Sequence, residues 1–129
     1  MTNVVLVGFK RSPFTIANKG LLAGVRPEDI LSQVINDLIK TTNINKDDIE
    51  DIIAGCAYPE GAQGYNIAKI VSFMTGMPEH VGGMTINRWC GSSMQAIHSA
   101  AGAISMNAGK VFICCGIESM TSVPINGLN

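Results

Sequence analysis

The spacing of apolar residues along the first third of the chain predicts a strand followed by an amphipathic helix. Residues 4–7 form a short, mostly β-branched run that ends at Gly8, which is typical of a buried strand. Pro27 suits a first helical position, and Glu28 and Asp29 favour a first turn by their charge. After Pro27, the apolar positions repeat with a helical period. These positions are Ile30, Leu31, Val34, Ile35, Leu38 and Ile39.

In the remaining two thirds of the chain, predicted strands and helices continue to alternate. Residues 52–58 are predicted to form a second strand, residues 65–75 a second helix and residues 84–89 a third strand. Residues 90–109 have a helical period, but the opposite face carries Ala, Gly and Ser in place of charged groups, which predicts a buried helix. Residues 111–117 are continuously apolar and predict a fourth strand.

Strands that alternate with helices predict right-handed βαβ crossovers and a largely parallel sheet covered on both faces. The fold class is therefore α/β, in the order βαβαβαβ. A length of 129 residues allows one domain of ordinary size.

Charge is scarce and unevenly placed. The chain is 47% hydrophobic and 15% charged with a net charge of −1, so it lacks the basic excess typical of proteins that bind nucleic acid or anionic membranes. Residues 1–51 hold 13 of the 19 charged side chains. Because charged groups normally cover the solvent-facing surface, residues 52–129 are expected either to pack against something outside this chain or to span a membrane.

The membrane interpretation fails on the longest uncharged run, residues 89–109. This run is long enough to span a bilayer, but its serines, glycines, Gln95, His98 and Asn107 make it too polar. The N-terminus has neither a basic start nor an apolar segment long enough for a signal peptide. We therefore expect a soluble, cytoplasmic protein.

The four cysteines, Cys56, Cys90, Cys114 and Cys115, contain no C-x-x-C pair. Cys114 and Cys115 are adjacent in a predicted strand, so their side chains should point to opposite faces of the sheet. This arrangement disfavours a shared metal ion or a simple disulfide, and reduced thiols are expected.

Cys90 is the candidate catalytic residue. It follows a predicted strand and precedes a long helix, where free N–H groups and the helix dipole favour the nucleophilic thiolate. Gly91 allows a tight turn there, and the backbone N–H groups of the turn are candidates to hold a developing oxyanion. The alternative is that Cys90 is simply a small buried apolar residue, as most free cysteines are.

The sequence resembles the thiolase family. Residues 87–96 (Asn-Arg-Trp-Cys-Gly-Ser-Ser-Met-Gln-Ala) are similar to the nucleophile signature of that family. Residues 11–14, 25–29 and 116–120 resemble three further thiolase motifs in the same order. Residues 64–68 and 92–95 are more similar to degradative 3-ketoacyl-CoA thiolases than to biosynthetic acetoacetyl-CoA thiolases. The degradative enzymes act in fatty acid β-oxidation.

This resemblance implies a layered αβαβα fold and a ping-pong acyl transfer. The Cys90 thiolate would attack the keto carbon of a 3-ketoacyl-CoA, acetyl-CoA would leave, and a second coenzyme A would collect the shortened acyl group. It implies acyl-CoA as substrate, with no permanently bound cofactor and no metal. The implied partners are a second copy in a homodimer or tetramer, or a complementary C-terminal thiolase chain, without nucleic acid or membrane.

Four residues depart from the thiolase pattern. Trp89 stands where the family usually has a smaller aliphatic residue, which affects the expected shape of the acyl pocket. Cys114 and Cys115 stand where small residues are usual and are interpreted as packing residues. Lys10 replaces an apolar residue, with little expected consequence for the chemistry.

Three other catalytic motifs of thiolases are absent from residues 1–129: the Gly-His-Pro histidine, the second cysteine and the Asn-Glu-Ala-Phe asparagine. His98 lies about 12 Å along the helix axis from Cys90 and is expected to be packed or hydrogen-bonded, and His80 is expected in a loop. Residues 1–129 therefore resemble an incomplete N-terminal thiolase domain, without the coenzyme A-binding loop region or the C-terminal domain.

Two further hypotheses stay open beside the enzymatic one. The enzymatic hypothesis is a truncated or split thiolase that is expected to be inactive alone. The first alternative is a non-catalytic interaction module that keeps the thiolase sheet and dimer surface. A redox sensor that pairs Cys90 with Cys114 or Cys115 is the weakest alternative, because no resolving-cysteine spacing is visible.

Overall fold

The computed structural model describes residues 3–128, and within them the chain forms one three-stranded parallel sheet. Its strands are Asp51–Gly55 (β1), Gly82–Ile86 (β2) and Phe112–Gly116 (β3), in the order β2-β1-β3. β2 and β3 each pair with β1 over all five residues. This architecture confirms the predicted α/β class with parallel crossovers.

Three α-helices cover the two faces of the sheet in the described residues. They are Pro27–Thr42 (α1), Ile67–Met74 (α2) and Ser92–Ser105 (α3). The helices α1 and α2 share one apolar cluster with alternate residues of β1, whereas α3 packs on the other face. None of the helices in residues 3–128 is both long enough and apolar enough to cross a bilayer.

The alternation along β1 explains how one strand serves both layers. Ile52 and Ala54 face the cluster of α1 and α2, and Ile53 between them faces α3. All three are at most 2% exposed. Because successive side chains of a strand point to opposite faces, a continuous apolar run is what a sheet buried on both sides requires.

The start of α1 follows the predicted pattern. Pro27 begins the helix, with Glu28 and Asp29 in its first turn and Lys40 in its last. Within the predicted apolar stripe, Leu31 and Ile35 are almost completely buried. Charges of these signs complement the helix dipole at each end, which supports the observed bounds.

The prediction of a strand at residues 4–7 is wrong for this chain. The segment contains no strand, and its side chains are exposed, from 40% at Val4 to 81% at Leu6. A groove of about 1030 Å³ is lined by this segment, β3, α1 and α3. β3 is an edge strand of the sheet, but residues 4–7 are not paired with it, and a strand exists only where ladder hydrogen bonds form.

The buried-helix prediction for α3 also needs correction. In this chain α3 buries Ser92, Ala96 and Ala100, while Met94 is 52% and Ile97 is 40% exposed. One face of the helix packs on the sheet, and the opposite face, although poor in charge, is open.

The second and third predicted strands end earlier than expected. β1 ends at Gly55 and β2 ends at Ile86. The residues that follow each strand instead build the loops at the carboxyl edge of the sheet, which include Cys90.

Candidate active site

Cys90 lies on the turn that joins β2 to α3, as predicted, and it is solvent-exposed. Two backbone hydrogen bonds close this turn: the N–H of Gly91 donates to the carbonyl of Arg88 at 3.0 Å, and the N–H of Ser92 donates to that of Trp89 at 3.1 Å. The thiol is therefore carried by a short, internally bonded segment just before the first residue of the helix.

The side chain of Ser92 closes the turn a second time. Its Oγ donates to the carbonyl of Trp89 at 2.6 Å and accepts from the N–H of Arg88 at 2.8 Å. A serine hydroxyl is short enough to bond neighbouring backbone groups in this way. Ser92 is 3% exposed, so both bonds are shielded from water.

The strained residue of the turn is Trp89 and not the glycine. Trp89 has a φ of 50°, whereas Gly91 has an ordinary φ of −92°. A bulky residue with positive φ costs free energy that the surrounding contacts must offset. The sequence contains no signal for this, because glycine is the more usual residue with positive φ and Gly91 lies only two residues after Trp89.

Most backbone N–H groups of the turn already donate hydrogen bonds within it. Few of them are therefore free to bind the predicted oxyanion. Those of Arg88, Trp89, Gly91 and Ser92 all donate within the turn. The N–H of Cys90 takes no part in this set of hydrogen bonds. A developing oxyanion at this turn would therefore meet the N–H of Cys90 first.

Two glycines place the first turn of α3 against the sheet. A Cβ on Gly55 would lie 2.4 Å from the backbone nitrogen of Ser93, and a Cβ on Gly116 would lie 1.9 Å from the Ser93 hydroxyl. The contact at Gly55 is to backbone atoms and excludes a side chain, whereas at Gly116 the Ser93 hydroxyl would have to rotate away. The helix that follows Cys90 can start at this position because β1 ends in glycine.

A polar cluster that the sequence analysis missed lies at the same edge of the sheet. The carboxylate of Glu118 accepts from the N–H of Ala57 at 2.8 Å and from Nε2 of Gln63 at 2.8 Å. The Gln63 amide also donates to the carbonyl of Tyr58 at 2.8 Å, and its oxygen accepts from the N–H of Ser119. The signal available was the scarcity of charge, since Glu118 is one of six charged residues after position 51.

The other three thiols have environments unlike that of Cys90. Burial, followed by the nearby Glu118 carboxylate, raises the pKa of Cys56 to about 11. Burial also raises the pKa of Cys115 to about 12, and that of Cys114 in the same direction. A raised pKa keeps a thiol protonated and unreactive at neutral pH.

Cys114 and Cys115 point to opposite faces of the sheet, as predicted. Cys114 packs with the α3 cluster and donates to the carbonyl of Ala96 at 3.5 Å. Cys115 packs with the α1 and α2 cluster on the other face. This placement supports their interpretation as packing residues.

The two histidines lie on different elements, His80 in a loop and His98 on a helix. His80 is exposed in the loop before β2, as predicted. His98 is exposed on α3, so of its two expected environments, packed or hydrogen-bonded, the packed one is wrong. Within residues 3–128, no group of three or more His, Cys, Asp or Glu side chains is placed to hold a metal ion.

Residues 4–128 match the family described as thiolase, N-terminal domain. The chain belongs to the thiolase family. The match extends over nearly all of the described residues and includes the Cys90 turn, all three strands and all three helices.

Curated thiolases resemble the chain along nearly its whole length. It is 39% identical to the 3-ketoacyl-CoA thiolase of Colwellia psychrerythraea over 126 residues, which are 97% of this chain and 33% of that protein. Identity to the 3-ketoacyl-CoA thiolase of Aeromonas salmonicida is also 39%, over 98% of this chain and 33% of that protein. The chain thus spans about a third of the length of these thiolases.

A solved thiolase structure has the same fold. The acetyl-CoA acetyltransferase of Bacillus anthracis superposes with a TM-score of 0.81 at 29% identity, over 90% of this chain and 29% of that protein. The α/β arrangement around Cys90 is therefore that of the thiolase fold.

Proposed function

We propose that this chain is the nucleophile-bearing part of a thiolase and that Cys90 is its catalytic nucleophile. The observation that carries the proposal is the position of Cys90, an exposed thiol on a closed strand-to-helix turn in a chain of the thiolase family. The named relatives are 3-ketoacyl-CoA thiolases, which favours degradative cleavage of a 3-ketoacyl-CoA over its synthesis.

In the proposed reaction the Cys90 thiolate adds to the 3-keto carbon, and the carbon–carbon bond to the acetyl-CoA portion breaks. The leaving carbanion takes a proton and departs as acetyl-CoA. The thiol of a second coenzyme A then loses its proton and attacks the cysteine thioester, which releases the shortened acyl-CoA and regenerates Cys90. Covalent catalysis divides one difficult step into two easier ones.

The proton transfers need a general base, and the thiolase motifs that carry the further catalytic groups are absent from residues 1–129. A general base acts within hydrogen-bond reach, and the two histidines of this chain are exposed on other elements. We therefore propose that residues 1–129 act as an incomplete N-terminal domain. Activity then requires the two thirds of a thiolase that the relatives have in addition, in the same polypeptide or in a second one.

The proposal is tested by complementation. The chain is combined with the remaining two thirds of the Aeromonas salmonicida thiolase, and coenzyme A-dependent loss of a 3-ketoacyl-CoA is measured. Cys90→Ala is expected to lower the rate about a thousandfold or more. The matched control, Cys114→Ala, removes a thiol from packing and is expected to retain most of the activity. A Cys90→Ala assembly as active as wild type refutes the assignment.

A non-catalytic interaction module is the second candidate function. It is favoured by the exposed apolar side chains on α3 and in the N-terminal segment, which suit association with another protein surface. It predicts oligomers that are unaffected by Cys90→Ala, together with a Cys90 thiol that takes up no acyl group from an acyl-CoA.

A further inference from the structure

We propose that Asn87 is a positioning residue that holds the Cys90 turn to the loop after β1. This inference rests on the proposed function, because it concerns the thiol assigned there as nucleophile. Asn87 uses both ends of its amide: Oδ1 accepts from the N–H of Trp89 at 2.9 Å, and Nδ2 donates to the carbonyl of Ala57 at 2.9 Å. An N–H partner and a carbonyl partner together fix the orientation of the amide.

The loop after β1, to which Asn87 is hydrogen-bonded, is also held by Glu118 and Gln63. The N–H of Ala57 donates to Oε2 of Glu118, while the carbonyl of Tyr58 accepts from the buried Gln63 amide. Gln63 and Glu118 are joined by their own hydrogen bond of 2.8 Å. The peptide units of the loop thus connect Glu118, which follows β3, to the turn that follows β2.

Trp89 is the residue on which this restraint acts. Its positive φ makes the turn strained, and such a conformation persists only where neighbouring contacts hold it. Asn87 binds its N–H, and the ring of Tyr58 meets its indole edge to face, with centroids 5.6 Å apart. Asn87 follows β2 and Tyr58 follows β1, so both contacts are made at the carboxyl edge of the sheet. Cys90 is the residue directly after Trp89.

The effect of Asn87 is expected to be local because Asn87 is exposed and belongs to neither apolar cluster. Asn87→Asp keeps an acceptor for the N–H of Trp89 but sets an acceptor against the carbonyl of Ala57. The matched control is Asn66→Asp. Asn66 is also exposed, donates to the carbonyl of Gly83 at 2.6 Å and accepts from Thr85, so it loses an equivalent bond away from Cys90.

The experiment measures the rate at which iodoacetamide alkylates Cys90 in the full chain, by peptide mass spectrometry across neutral and mildly alkaline pH. Asn87→Asp is expected to slow Cys90 alkylation about threefold, because loss of the bond to the carbonyl of Ala57 releases the turn that carries the thiol. Asn66→Asp is expected to leave the rate unchanged. An Asn87→Asp variant that reacts like wild type overturns the proposal.

A double-mutant cycle keeps the proposal testable if Asn87→Asp lowers stability. Glu118→Gln removes one acceptor at the far end of the loop, and its effect on Cys90 alkylation should not add to that of Asn87→Asp, because both act through the same loop. Additive effects overturn the connection through Ala57. Transfer of an acyl group from an acyl-CoA is measured separately. If it fails while the alkylation effects hold, the proposed function is rejected and the positioning role stands.

Discussion

Gly55 and Gly116 stand opposite each other in β1 and β3, and both lie beneath Ser93 in the first turn of α3. Neither glycine needs an unusual φ. Gly55 is required because backbone atoms of Ser92 and Ser93 occupy the space of a side chain, and Gly116 leaves room for the Ser93 hydroxyl. This close approach decides where α3 begins and therefore where Cys90 lies relative to the sheet.

Replacing Gly55 by alanine is expected to lower the free energy of unfolding by about 1–3 kcal/mol, the usual cost of overpacking. The first turn of α3 must shift, because the new Cβ meets the backbone of Ser93. Urea unfolding followed by circular dichroism measures the change. Gly102→Ala is the matched control: a Cβ there has no neighbour within 4 Å, so this helix interior change is expected to stabilise by about 0.5–1 kcal/mol. Equal stabilities for the two variants contradict the packing argument.

The four thiols are expected to react in a fixed order. At about pH 8 the exposed Cys90 should be alkylated first, whereas Cys56, Cys114 and Cys115 stay protonated because burial raises the pKa of each. As pH rises toward 11, Cys56 should begin to react. Limited alkylation with peptide mapping gives the order, and early modification of Cys56 or Cys115 is the result that does not fit.

Asp51 is expected to reduce stability at neutral pH. Burial raises the pKa of this carboxyl above 3.8, although the charge of Lys69 opposes the shift, and its Oδ1 is buried without a hydrogen-bond partner. A raised pKa means that the folded chain binds the proton more tightly than the unfolded chain. Stability from this group is therefore present below pH 3.8 and is lost as pH rises through the folded pKa.

Asp51→Asn should accordingly stabilise the fold at neutral pH by at most about 1 kcal/mol, because a neutral amide avoids the desolvation cost of the charge and partial exposure reduces that cost. The gain should shrink in acid, where the wild-type carboxyl is neutral. Thermal unfolding at several pH values measures it. Asp48→Asn, at an exposed position, is the control and should show neither the gain nor its pH dependence. A loss of stability in Asp51→Asn at neutral pH speaks against this account.

The isolated chain is expected to self-associate. Large apolar side chains are exposed in two regions, the N-terminal segment, where Phe9 is 92% exposed, and α3, where Met94 is 52% exposed. Extended apolar surface of this kind normally marks a surface that another chain or segment covers. Sedimentation velocity should show oligomers or aggregates, and Met94→Lys should reduce them if α3 contributes. A monodisperse, well-folded monomer is the contrary result.

Much of the fold follows from local patterns. The start of α1 at Pro27 and the continuous apolar run of β1 are each determined by nearby residues, and the sequence predicted both. Residues 4–7 have an equally clear strand pattern but form no strand, since pairing depends on the approach of two distant segments, which no local pattern reveals. The exposed face of α3 was misjudged for the same reason.

In the candidate site, too, features set by one stretch of sequence were predicted, and features set by distant residues were not. Cys90 was predicted because a cysteine between a strand and a helix is visible in one stretch of sequence. The cluster of Gln63 and Glu118 was missed because its members are 55 residues apart and meet only when the strand ends come together. The positive φ of Trp89 depends on those tertiary contacts and leaves no mark in the sequence.

The most direct test of the central claim is the mass of the chain after exposure to acetyl-CoA, in an assembly copurified with the remaining two thirds of a thiolase. The account predicts one acetyl group per chain, located on Cys90 by peptide mapping, removed by added coenzyme A and absent from Cys90→Ala. An intact assembly that acquires no acetyl group, or acquires it on another residue, contradicts the assignment of Cys90 as the thiolase nucleophile.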